Sequence, residues 1–171
     1  MKDIQKTFRF ANYGEYIDNV STLREILQTA FVDDNAPFML AVDEAVCNTA
    51  KHTAKEQDGI VVEILLTTNS VTVTVKAKTC AFDALEYREK LLKIVRDPKF
   101  SFMDWGDFVD ETETGMGIWY MLTGVDYLVI DRNGDEVSLS AKTPHKVNDK
   151  PETQMGKLIP RFLVRDKGVI S

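Results

Sequence analysis

Apolar residues recur at two different periods along this chain, and the switches between them divide it into elements. Lys6-Thr-Phe-Arg-Phe-Ala11 alternates polar with apolar, as a half-buried strand does. From Ile17 onward the apolar positions return every three or four residues, at Val20, Leu23, Leu27, Ala30 and Phe31. That spacing predicts an amphipathic helix. Asn35 is the expected N-cap of a second helix, with Pro37 in its first turn, where a missing N–H is tolerated. This helix would turn Phe38, Val42, Ala45, Val46 and Thr49 to the core. Asp58-Gly59 marks a turn. The β-branched runs Ile60–Thr67 and Val71–Lys76 then predict an antiparallel hairpin about Asn69-Ser70. A third helix over Ala84–Val95 ends before Asp97-Pro98. Phe100–Thr114 is irregular, aromatic and acidic, Gly115-Met-Gly117 opens a short helix, and Tyr127–Asp131 with Glu136–Ala141 form a hairpin about Asn133-Gly134.

The order β-α-α-β-β-(helix, loop)-α-β-β predicts an α+β two-layer sandwich, with a mixed, mostly antiparallel sheet and helices on one face. A length of 171 residues suits one domain, expected over residues 1–142, followed by a basic tail over 143–171. The net charge of −6 is uneven, because the tail carries six Lys/Arg against three acids. An acidic body argues against nucleic acid as the main partner. No apolar run is long enough to span a bilayer, and the first residues lack the core of a secretion signal. Cys47 and Cys80 have no metal or CxxC spacing, which suits free thiols in a cytoplasmic protein. The tail turns apolar at Leu158-Ile159 and Phe162-Leu163-Val164, a segment suited to docking on the body or on a partner.

The chemistry concentrates in the second helix. Glu44, Asn48 and His52 stand at i, i+4 and i+8, so they share one stripe. A carboxylate, a carboxamide and an imidazole in a column can orient a hydroxyl and hold a hard cation; a merely solvated helix face has the same composition. Downstream, Thr114-Gly-Met-Gly117 places two glycines at a helix start, where free N–H groups attract phosphate oxygens.

With Leu40-Ala-Val-Asp-Glu-Ala-Val-Cys-Asn-Thr-Ala-Lys-His52 and Thr114-Gly-Met-Gly-Ile118, the chain resembles the anti-sigma-factor serine/threonine kinases. These belong to the Bergerat-fold (GHKL) ATPases, and the likeness spans roughly residues 6–142. The resemblance implies that Glu44 activates the attacking hydroxyl and that Asn48 holds Mg²⁺. It also implies that His52, Thr114, Gly115, Met116 and Gly117 belong to the ATP site, beneath a lid. It further implies a STAS-type anti-anti-sigma protein or a sigma factor as partner, and a homodimer.

The chain departs from the family at its first glycine box. Ala77 stands at the adenine-binding aspartate, and Thr79 and Ala81 stand at the glycines. A carboxylate–amine hydrogen bond contributes about 1.5–3 kcal/mol, roughly 10- to 150-fold in affinity. The segment between Lys99 and Arg132 also has no Lys or Arg, while Asp104, Asp107, Asp110, Glu111 and Glu113 precede the glycine turn. Three expectations therefore stand side by side: an ATP-dependent kinase, a nucleotide-independent partner-binding module with a vestigial pocket, and a pocket for another ligand.

Overall fold

The computed structural model describes residues 3–31, 35–54, 59–80, 82–98, 116–143, 152 and 154–170. Its elements are β1 (Ile4–Phe10), α1 (Tyr13–Gln28), α2 (Ala36–His52), β2 (Ile60–Leu66), β3 (Ser70–Lys76) and α3 (Ala84–Arg96). They continue with α4 (Met116–Thr123), β4 (Tyr127–Asp131), β5 (Glu136–Lys142), α5 (Met155–Leu158), a 3₁₀ turn (Ile159–Arg161), β6 (Phe162–Asp166) and β7 (Val169–Ile170). The α+β class with a mixed sheet is as the pattern predicted.

The strands form one seven-stranded sheet in the order β1-β2-β3-β5-β4-β6-β7. All pairings are antiparallel except β4 with β6. Period-two alternation sends Ile60, Val62, Ile64 and Leu66 of β2 and Val71, Val73 and Val75 of β3 into the core. Leu128, Ile130, Val137, Leu139, Phe162 and Val164 continue the same layer, and the core-facing residues of α1 and α2 pack on it. The opposite face is mixed, with Val61, Leu65, Tyr127 and Val129 beside polar pairs. Thr72 pairs with Ser140 and Thr74 with Ser138 across β3 and β5, while Lys76 bridges Glu63 at 2.8 Å and Glu136 at 3.7 Å. None of the described helices is long and apolar enough to cross a membrane.

Two details refine the sequence reading. Asn35 precedes α2, but its side chain makes no capping bond; it is buried, and its Nδ2 has no partner. Its carbonyl instead accepts from the Met39 N–H at 2.9 Å. The apolar stretch near the C-terminus docks on the body as a strand: β6 lies parallel to β4, pairing Leu128 with Phe162 and Ile130 with Val164. A run of only Phe-Leu-Val before Arg165 is too short to declare itself by alternation. Arg161, just before this strand, donates to the carbonyls of Leu122 at 3.1 Å and Val125 at 3.0 Å, closing the end of α4.

α4 lies against α2 with almost no side chain between them at one point. A Cβ on Gly124 would overlap the Pro37 carbonyl and stand 2.9 Å from Ala41 Cβ. The obstacle is helix backbone, which cannot swing aside. Gly124→Ala is therefore expected to destabilise the fold by about 1–3 kcal/mol, read as a lower urea midpoint at unchanged m-value. An unchanged midpoint would show that the two helices separate freely.

Candidate functional site

The polar stripe of α2 arises from its helical period and is aimed by its neighbours. Its other flank is anchored on α1. The buried Tyr16 donates to Asp43 Oδ1 at 2.5 Å, and Arg24 meets Asp43 Oδ2 at 3.4 Å. Tyr13 stacks on Tyr16 with ring centroids 5.9 Å apart. Its phenol is held above the usual range, first by burial and then by Cys47, Asp43 and Glu44. Asp43 is thus engaged on the α1 side. Glu44, about 100° further round the helix, lines a cleft on the α4 side.

The structure brings Glu44, Asn48 and Gly117 together. A Cβ on Gly117 would overlap Glu44 Oε1 and lie 2.9 Å from Asn48 Nδ2. The first turn of α4 therefore sits directly on the two polar side chains. Met116, which begins that helix, is exposed. Thr114 and Gly115 lie outside the described residues, as do Ala81 and the acidic, aromatic stretch from Phe100 to Thr114. His52 ends α2, is exposed, and lines the same cleft.

The cleft has a volume of ≈ 460 Å³, within the roughly 300–1,000 Å³ of small-molecule sites. Its mouth carries Glu44, Asn48 and His52, and its interior is built from Ile118, Met121, Ile130 and Val137. Phe82 and Tyr87 supply an aromatic side, their ring centroids 5.7 Å apart. Sequence reasoning missed this apolar interior. The one local signal was Asn133-Gly134, whose Gly134 has φ +79° and supports the Phe82 ring.

The segment that would carry a first glycine box is pinned to the β4–β5 turn. Ala77 N–H donates to the Asp135 carbonyl at 3.0 Å. Thr79 donates its N–H to Asp135 Oδ1 at 2.8 Å and its hydroxyl to the same oxygen at 2.9 Å. The segment also joins the end of α2, because Cys80 N–H donates to the His52 carbonyl at 2.7 Å. Asp83 does not line the cleft. It caps α3 by accepting from Leu85 and Glu86 N–H at 3.0 and 3.1 Å. The Glu86 N–H, aided by Arg132, holds its carboxyl below the usual range.

Among the described residues no three His, Cys, Asp or Glu side chains cluster as a closed metal site. Asn48 and Glu44 at an open mouth fit a different mode, in which Mg²⁺ takes one or two protein ligands and completes its shell with water and phosphate. No protein-family model matches the chain, and comparison with curated proteins gives no match either.

Two measurements probe this framework. Gly117→Ala is expected to displace the Glu44 and Asn48 side chains while costing about 1–3 kcal/mol of stability. Chemical-shift changes confined to α1 and α4, with none at the Asn48 side-chain amide, would contradict that contact. Tyr16 supplies a pH test. Burial first, then Asp43, raises its phenol pKa far above the ordinary value. A raised folded pKa means that the stabilisation is complete below the unfolded value of about 10 and is lost as pH rises through and beyond it. Tyr16→Phe should lower stability near neutrality by about 1.5–3 kcal/mol and flatten the alkaline loss in urea titrations. Parallel alkaline limbs would assign that loss to another group.

Proposed function

We propose that this protein is a regulatory domain of the anti-sigma-kinase type with a Bergerat-like fold. In this reading the α2/α4 cleft binds Mg-ATP, and the terminal phosphoryl group passes to a serine of a small STAS-type partner. The observation that carries the reading is the seating of Gly117 on Glu44 and Asn48 at the mouth of a nucleoside-sized cleft. Glu44 would accept the proton of the attacking serine hydroxyl, and Asn48 would hold Mg²⁺ against the phosphates. Bound Mg²⁺ supplies charge neutralisation at the phosphates. A sigma factor as alternate partner, and a homodimer, belong to the same proposal.

A second reading has its own support. Asp135 is engaged by Thr79, and Ala77 stands where an adenine-binding carboxylate would be. That arrangement favours a module that binds its partner without nucleotide.

Thermal-shift titration separates the two. Binding to the folded state stabilises by RT ln(1 + [L]/Kd), so even a Kd of about 0.1 mM gives a clear shift at several millimolar Mg-ATP or Mg-ADP. The expected result is a shift that disappears in the Glu44→Ala/Asn48→Ala variant, with ATP-dependent phosphorylation of a STAS partner lost in Glu44→Ala alone. No shift at any concentration, with partner binding intact, would replace the kinase by the nucleotide-independent module.

A further inference from the structure

The interior of the cleft differs chemically from its mouth. Glu44 is the only carboxylate among the described residues that line it, and it stands at the mouth with Asn48 and Gly117. The buried part of the lining is Ile118, Met121, Ile130 and Val137, with Thr49 as a neutral polar group. Asp135, close in sequence to the lining Gly134, accepts two hydrogen bonds from Thr79 on one oxygen. Such a lining selects for an apolar, flat moiety rather than for a particular pattern of donors and acceptors.

Phe82 gives that moiety a surface to lie on. It lines the cleft and is 39% exposed, so part of it is open to a ligand there. Its ring is not loose. Cδ1 stands 2.9 Å from where a Gly134 Cβ would be, and the ring leans on Tyr87, which in turn lies 6.3 Å from Phe162. Gly134 is at φ +79°, so that close seat is reserved for glycine. An aromatic ring fixed from behind and open in front is a stacking platform, and stacking accepts any base because every base has a π-face.

We propose that the cleft binds purine nucleotides by stacking the base on Phe82, with little discrimination between adenine and other purines. This rests on the nucleotide-binding reading above and adds the specificity of the site. Phe82 is its affinity-determining residue on the base side, and Glu44 and Asn48 act at the phosphate end.

Isothermal titration calorimetry on the full chain, with Mg-ATP, Mg-GTP and Mg-ITP, tests the inference. The three Kd values are expected to agree within about threefold, since among the described residues Glu44 is the one lining carboxylate and it is assigned to the phosphate end, away from the exocyclic amine that ITP lacks. Phe82→Ala is expected to weaken all three by about 5- to 150-fold, the range for loss of one stacking partner, and Phe82→Trp to restore binding. A preference for ATP over both GTP and ITP of more than about tenfold would overturn the inference while leaving nucleotide binding intact. Equal binding by the parent and a folded Phe82→Ala variant would overturn it too. If none of the three nucleotides binds, the reading beneath it fails as well. The comparison of bases on the unaltered chain stands even if the Phe82 variants do not fold.

Discussion

The close approach of α2 and α4 is the constraint on which the candidate site depends. Gly117 in the first turn of α4 and Gly124 just past its end both meet α2. At Gly124 the contact is with backbone, the carbonyl of Pro37, and at Gly117 it is with the side chains of Glu44 and Asn48. The lower contact sets the distance between the helices, and the upper one uses that distance to press polar groups against a helix start. The C-terminal segment maintains it. Arg161 ties the end of α4 to β6, and Arg88 of α3 donates to the Phe162 carbonyl at 2.8 Å. A strand that follows the rest of the sheet in the chain therefore fixes two of the helices bordering the cleft.

Much of this architecture was legible because it is local. The period of α2 put Glu44, Asn48 and His52 on one stripe, and the structure finds all three at one cleft. The hairpins about Asn69-Ser70 and Asn133-Gly134 follow from turn chemistry and β-branched runs, and they appear in register. The cleft interior was not legible. Phe82, Ile118, Ile130 and Val137 come from separate elements, and no periodicity within one segment reveals that they face one another. Gly117 illustrates the overlap of the two cases. Its sequence context suggests a phosphate turn, whereas its structural context adds close helix packing, and glycine meets both needs.

Asp43 and Glu44 are adjacent carboxylates with divided tasks. Asp43 is committed to Tyr16 and Arg24, which binds α1 to α2 and holds the helix at a fixed rotation. That rotation aims Glu44 at α4 rather than at solvent. The buried face of α2, from Phe38 to Thr49, fixes the same rotation from the core side. The buried phenol thus bears on the site without touching it, by engaging the carboxylate that does not face the cleft.

In the nucleotide-binding reading proposed above, the same division of labour lets the cleft work without a glycine box at residues 77–80. Glu44 and Asn48 are held at the cleft where α2 packs on Gly117 of α4. Ala77, Thr79 and Cys80 bond to the β4–β5 turn through Asp135 and to the end of α2 through the His52 carbonyl. Those bonds close the rim into a rigid strip, and rigidity favours a ligand recognised by shape, since a preformed slot loses little entropy on filling. In that reading, a site that meets phosphate by charge and the base by fit binds through the sum of two independent ends. Removing one base-specific hydrogen bond from such a site lowers its affinity and its selectivity, but leaves the geometry at the phosphate end as it was.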